Sequence, residues 1–238
     1  MAHKRWYTCN YRYFEKIETE KQAYWLGFIY ADGCVGHQVR ERKLKTMTTV
    51  QERKYLSIML KKEDRGHLIK FLEDIEGDYV IRDYKQSGHW ASRIVIEDEV
   101  LWTDLVNNGA TPKKSLNLKY PLKNIIPERL ERHFLRGYFD GDGCISRYKT
   151  EWNLDGHECS VLGTKEFLME YIKKLPINQN NKMTQRNPGN KTNNWTYRFK
   201  GNQQVYNAMH FLYNDSLVYL DRKYQKYVDL AQMISRPI

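Results

Sequence analysis

Ala23-Tyr24-Trp25-Leu26-Gly27-Phe28-Ile29-Tyr30-Ala31-Asp32-Gly33-Cys34-Val35 is apolar almost throughout and closes on an acid followed by glycine and cysteine. The chain repeats the pattern at His133-Phe134-Leu135-Arg136-Gly137-Tyr138-Phe139-Asp140-Gly141-Asp142-Gly143-Cys144-Ile145, which places Asp142 110 residues after Asp32. A helix without a polar face is buried on several sides. Small residues recur at helical spacing: Ala23, Gly27 and Ala31 in the first copy, Gly137 and Gly141 in the second. Residues four apart share a face, so each helix carries a bare stripe that another backbone can approach. The two stripes are expected to pack together and bring Asp32 and Asp142 to one end of the pair.

Outward from these helices the chain reads as a duplication. Thr19 and Gln22 form a capping-box start for the first helix, and Pro127 opens the second. After the first motif come a basic, β-branched stretch from His37 to Val50, a strand at Tyr55 to Leu60, and a helix capped by Asp64 and ended by Gly77. Strands at Tyr79 to Tyr84 and Trp90 to Ile96 follow, then a helix near Glu99 to Asn107. The second half retraces this with a strand at Glu158 to Leu162, a helix capped by Thr164, a polar loop, and a strand at Trp195 to Lys200. Helices from Gln203 and Val218 close the chain. The expected organisation is an N-terminal arm (1–18), a first repeat (19–117), a linker (118–127) and a second repeat (128–238). Two units with so long a period argue for a pseudo-twofold duplicate rather than a solenoid.

Trp25 to Gly33 and Leu135 to Gly143 resemble the two copies of the LAGLIDADG motif of single-chain homing endonucleases. The first agrees at Gly27, Ile29, Ala31, Asp32 and Gly33, with Trp-Leu at its start and Tyr30 where an acid is usual. The second agrees at Leu135, Gly137, Asp140, Asp142 and Gly143. The resemblance, which runs from about Thr19 to Tyr227, implies an α+β fold of two αββαββα repeats. In it the motif helices pack at the centre and antiparallel sheets form a DNA-binding saddle. It further implies a monomeric, site-specific nuclease of intron homing that makes a double-strand break by metal-dependent hydrolysis at a long asymmetric target. An RNA-splicing maturase, with intron RNA as partner, and a DNA-binding regulator without cleavage are the alternatives.

Composition agrees with a polyanionic partner. The 238 residues include 39 Lys and Arg against 29 Asp and Glu, a net charge of +10, and the basic residues run along the whole chain. A broad positive surface suits double-stranded DNA. Cys9, Cys34, Cys144 and Cys159 show no zinc spacing and read as reduced thiols, Cys34 and Cys144 as small residues beside buried helix ends. No apolar run approaches the ~20 residues of a membrane span. The expected location is therefore the cytoplasm or a DNA-containing compartment, not secretion and not a membrane.

Two carboxylates forced together repel unless a cation neutralises them, and magnesium takes one or two carboxylates plus water and phosphate oxygens. The resemblance implies Asp32 and Asp142 as catalytic Mg2+ ligands, with the carbonyls of Ala31 and Gly141 assisting and two or three ions shared between the acids. Asp140 falls on another side of its helix and reads as a packing or hydrogen-bonding residue. Lys114 and Lys223 lie 82 and 81 residues after Asp32 and Asp142, and their segments resemble those that supply a basic catalytic residue near the scissile phosphate. DNA recognition is expected from Gln38, Arg40, Arg42, Lys43, Lys45, Arg82, Tyr84, Lys85, Gln86, His89 and Arg93. In the second half Arg147, Tyr148, Lys149, Lys182, Gln185, Arg186, Asn187, Asn190, Lys191, Asn194 and Arg198 take that part. Arg, Gln and Asn read base edges, and Lys and Arg neutralise phosphate.

Overall fold

The computed structural model describes residues 7–43, 48–186, 188 and 193–235. The chain forms two compact units, Met1–Lys16 with Asp32–Lys113, and Ile17–Ala31 with Lys114–Ile238. By its contacts the first motif helix, up to Ala31, therefore belongs with the second repeat.

At the start of the first unit, Asp32 ends α1 (Glu20–Asp32) and the chain enters β1 (Gly33–Lys43) directly. β2 (Thr48–Lys61), a short 3-10 turn, α2 (Arg65–Asp74), β3 (Arg82–Gln86), β4 (His89–Glu97) and α3 (Glu99–Asn107) follow. The strands form an antiparallel sheet in the order β1-β2-β4-β3. Alternation puts Val35, Leu56, Ile58, Leu60, Ile94 and Ile96 on one face, all buried against Leu68, Phe71 and Leu72 of α2 and Leu101 and Leu105 of α3. Asp98 caps α3 by accepting from Leu101 N at 2.9 Å.

Residues 7–16 fold onto this unit as a cap. Asn10 N donates to Ile75 O at 2.8 Å, Phe14 is fully buried, and Asn108 Nδ2 donates to Phe14 O at 2.6 Å. The left-handed residue after α2 is Glu76 (φ 52°), with Gly77 N donating to Leu72 O; Gly77 itself was the expected stop. Asp64 stands at the N-cap of α2, but its side chain makes no cap hydrogen bond there. β3 and β4 are joined more tightly than expected, by Ser87 and Gly88 alone at φ 50° and 86°, the backbone of a two-residue hairpin turn.

The second unit holds α4 (Lys114–Asn117), α5 (Glu128–Asp142), β5 (Gly143–Lys149), β6 (Asp155–Gly163), α6 (Lys165–Lys173), β7 (Thr184–Gln185), β8 (Trp195–Lys200), α7 (Asn202–Tyr213) and α8 (Asp221–Ile234). Its antiparallel sheet has the equivalent order, β5-β6-β8-β7. Ile145, Cys159, Val161, Tyr197 and Phe199 form the buried face with apolar residues of α6 and α7. Thr164 caps α6 through Phe167 N, as the sequence predicts. α8 begins at Asp221 rather than Val218: Leu220 ahead of it is extended, with its N–H donating to Asp140 and the Val218 carbonyl accepting from Arg136.

α1 packs against α5 within this unit. The capping box forms: Gln22 N donates to Thr19 Oγ1 at 3.2 Å, and Thr19 N to Gln22 Oε1 at 3.0 Å. Ala23 to Tyr30 are all buried. A Cβ built on Gly27 would collide with the carbonyl of Phe134, and one on Gly137 with the carbonyl of Tyr24. The two glycines thus admit each other's helix backbone, reciprocally. Among the described residues no helix is long and apolar enough to cross a membrane.

Candidate nuclease site

The motif helices are locked by buried polar groups that long-range contacts alone could place. Arg136 is fully buried, donating to Val218 O and Leu212 O at 3.0 Å and to Glu20 Oε1 at 2.7 Å. Burial and the Arg136 charge hold the neighbouring His133 down at a pKa of about 4, so that its ring is neutral. Asp140 is equally buried. It accepts from the hydroxyls of Tyr24 and Tyr213 at 2.6 Å and from Leu220 N at 2.8 Å. Burial pushes its carboxyl above the ordinary carboxylate range, while Lys223 and these hydrogen bonds oppose the rise. Asp140 is therefore the packing and hydrogen-bonding residue that its helical position predicts.

Asp32 and Asp142, by contrast, reach solvent: Asp32 is exposed and Asp142 half-buried. Asp142 lines a cavity of about 210 Å³ together with Ala31, Lys114, Thr164, Arg186, Asn193 and Asn194. Each acid is the last residue of its helix and stands at the root of the first strand of a sheet.

Lys114 and Lys223 do something the sequence does not announce. Lys114 Nζ donates to the carbonyls of Ile29 (2.7 Å), Tyr30 (2.6 Å) and Ala31. Lys223 Nζ donates to Phe139 O and Gly143 O at 2.6 Å, to Asp140 O at 2.7 Å and to Gly141 O at 3.4 Å. The last carbonyls of a helix lack intrahelical donors and carry the negative end of its dipole, so an ammonium satisfies both needs. The matched spacing of the two lysines is thus a matched pair of C-terminal clamps. Lys223 is buried; Lys114 also borders the cavity. Leaving buried carbonyls unsatisfied costs about 1–3 kcal/mol each. Lys223→Met is accordingly expected to lose about 3 kcal/mol or more, and half-buried Lys114→Met less. Urea unfolding measures both, and wild-type midpoints would remove the clamp role.

The sheet faces turned away from the helices carry the polar residues. Directly opposed residues of an antiparallel pair share a face. In the first sheet the pairings Gly36↔Tyr55, Met59↔Arg93 and Arg82↔Arg93 therefore place Gln38, Arg40, Arg53, Tyr55, Lys61, Arg82, Tyr84, His89 and Arg93 together. Lys85, opposite Trp90, falls on the other face, with Asp83 and buried Ser92. Arg53, Lys61 and the neighbouring Gln51 were not predicted. Their signal was the alternation of β2, which starts before the strand expected at Tyr55.

In the second sheet Tyr148↔Gly156, Ser160↔Arg198 and Glu158↔Lys200 put Tyr148, Arg198 and the unpredicted Lys200 on the outer face. Arg147 and Lys149 point the opposite way, and both pair with Asp155, at 2.6 and 3.0 Å. Their bonds hold the Asp155 carboxyl down at about 2. Gln185, opposite Trp195, also leaves the outer face. Lys182, Arg198 and Lys200 border a polar depression with Asn178, Asn180 and Gln204. Arg186 and Asn194 line the Asp142 cavity instead. Lys45, Asn187, Asn190 and Lys191 lie outside the described residues, and for Arg42, Lys43 and Gln86 only the strand backbone is described.

Tyr55 lies over Gly36, and Tyr148 over Gly156, where a Cβ would strike the ring. Each sheet thus covers one glycine with a cross-strand tyrosine. Cys34 and Cys144 share these outer faces and are exposed, not tucked beside the helix ends; the buried thiol is Cys159. Strand alternation explains the difference, since both follow an inward glycine.

Two four-stranded antiparallel sheets of matching order, each entered from a helix ending in Gly-x-x-x-x-Asp-Gly, decide the architecture. The chain has the LAGLIDADG homing endonuclease fold. It is similar to the homing endonuclease I-SmaMI bound to cleaved DNA, over 92% of this chain and 89% of that one, with a TM-score of 0.62 and 15% identity. It is also similar to I-LtrWI bound to target DNA (95% and 92%, TM-score 0.60, 13%) and to I-GzeII in complex with its DNA target (88% of each, TM-score 0.60, 13%). No family model and no curated protein sequence matches the chain. At such identities the likeness is one of LAGLIDADG architecture.

Proposed function

We propose that the protein is a site-specific DNA endonuclease that cuts both strands of a long asymmetric target by metal-dependent phosphodiester hydrolysis, acting as a monomer in intron homing. The observation that carries this reading is the position of Asp32 and Asp142. Each is a solvent-reaching acid at the end of a buried helix, at the root of a strand whose outer face bears Arg, Gln or Tyr. A pure DNA-binding regulator has no use for a carboxylate there, since it repels phosphate.

The donors suit magnesium. Among the described residues no three His, Cys, Asp or Glu side chains cluster to hold a metal. What the helix ends offer is one carboxylate each and the carbonyls of Ala31 and Gly141, each of which accepts from a lysine ammonium and keeps a second lone pair. Magnesium is bound in this way, by one or two carboxylates completed by water and phosphate oxygens. Asp32 and Asp142, with the carbonyls of Ala31 and Gly141, would hold it. When bound, it supplies Lewis acidity at the phosphate and a more acidic water. The chain itself does the rest. The outer sheet faces hold the duplex by phosphate and base-edge contacts, and the Asp140 and Arg136 networks fix the helices that carry the acids. Lys114 and Lys223 are positioning residues that keep the last turns of those helices intact.

The test is selection of a target from a randomised duplex library with the purified protein, followed by cleavage in Mg2+. A double-strand break at one sequence, abolished by EDTA, is expected. Binding without cleavage in Mg2+ or Mn2+ would replace the nuclease by a regulator. Preference for structured RNA over duplex would favour a maturase.

A further inference from the structure

The two repeats differ at one point beside the candidate site. Where β3 and β4 are joined by Ser87 and Gly88, β7 ends at Gln185 and β8 starts at Trp195, so a nine-residue connection replaces a two-residue turn. Arg186, Asn193 and Asn194 from the ends of that connection line the cavity that holds Asp142. The position is built rather than incidental. Arg186 N donates to Asn194 O at 2.9 Å, closing the base of the connection. Asn193 then ties that base to the first turn of α6 and to α4. Its Oδ1 accepts from Lys165 N at 3.3 Å, and its Nδ2 donates to Glu166 Oε2 at 2.9 Å and to Leu116 O at 3.4 Å.

The cavity therefore carries an arginine and the motif acid Asp142 on one lining. Lys114, on the same wall, directs its ammonium to three carbonyls of α1. A guanidinium is always charged and offers a planar fork of donors that matches two oxygens of one phosphate. At the corresponding turn of the first repeat stand Ser87 and Gly88, which carry no charge.

Building on the nuclease reading above, we propose that Arg186 is a catalytic residue for one strand only: it contacts the scissile phosphate of the strand that enters the Asp142 cavity, and the other strand is cut without an equivalent. In the hydrolysis a water oxygen bonds to phosphorus and gives up a proton to solvent, the bond to the 3′-oxygen breaks, and the leaving oxygen takes up a proton from solvent. Arg186 stabilises the extra negative charge on the non-bridging oxygens while this occurs. The duplicated fold is then a functionally asymmetric enzyme, with a fast and a slow strand set by the longer connection.

The experiment measures the nicking rate of each strand separately, on the selected target labelled at either end, for wild type, Arg186→Met and Arg186→Lys. Arg186 is exposed, so the fold should tolerate both changes, which an unchanged unfolding temperature verifies. Loss of one preorganised donor to a developing charge typically costs about 100-fold or more. Arg186→Met should therefore slow one strand by about 100-fold, accumulate nicked duplex, and leave affinity almost unaltered, and Arg186→Lys should recover part of the loss. Equal slowing of both strands, no slowing, or a fall in affinity matching the fall in rate would each overturn the assignment while leaving the nuclease standing. A wild-type protein that cuts neither strand would overturn both.

Discussion

Asp142→Asn is expected to bind the selected DNA site with near wild-type affinity and to make no double-strand break, and Asp32→Asn is expected to do the same. The amide keeps the shape of the side chain and removes the charge that a hard cation requires. A metal at a phosphoryl group contributes several kcal/mol of charge stabilisation in the transition state, and each 1.36 kcal/mol is tenfold in rate. The expected loss is therefore about 10³-fold or more in cleavage. Calcium, a hard cation of different geometry, should support binding without turnover. Asp140→Asn separates the two kinds of acid in one helix: Asp140 is buried and accepts three hydrogen bonds, so its substitution should lower the unfolding temperature first. Gel-shift and strand-cleavage assays on the three variants decide the matter. A double-strand break at the wild-type rate in either Asp32→Asn or Asp142→Asn would remove that carboxylate from the chemistry.

What could be read from the sequence was local or repeated. The capping box, the buried motif helices, the Thr164 cap and the helix from Glu99 to Asn107 all depend on neighbours within one turn, and the structure contains each of them. The equal lysine spacing was visible, but not its use, because the carbonyls that bind Lys114 and Lys223 lie about 80 residues away and carry no sequence signature. The same holds for Arg136, whose partner Glu20 is 116 positions distant. Misassigned sheet residues have a simpler cause. Side chains alternate at period two, so reading Arg147, Tyr148 and Lys149 as one surface ignores that the middle residue faces the opposite way. Asp155 then takes the outer two. The place of Arg186 was hidden by loop length: composition shows a polar loop, and only the pairing of β7 with β8 brings its two ends to Asp142.

Gly137→Ala tests the helix pair on which the remaining geometry depends, and its effect on stability should be among the largest of any single methyl. The added Cβ would meet the Tyr24 carbonyl and, at 2.9 Å, the Phe28 amide nitrogen. Both are backbone atoms in a buried helix, so no rotamer change relieves the clash and the helices must separate. Separation loosens the aromatic packing around them, including the Tyr30–Phe134 contact at 5.0 Å, and stretches the 2.6 Å bond from Tyr24 to Asp140. Overpacking alone costs about 1–3 kcal/mol where the surroundings can yield. With the hydrogen-bond network disturbed as well, the total should exceed about 4 kcal/mol, a large part of the stability of an ordinary domain. Gly66→Ala supplies the contrast. Gly66 lies in α2 with open space around its Cα, and there alanine removes backbone freedom from the unfolded chain, adding about 0.5–1 kcal/mol. The same chemical change should thus shift the urea midpoint down at Gly137 and slightly up at Gly66. Equal shifts at the two positions would show that the motif glycines do not admit a partner backbone.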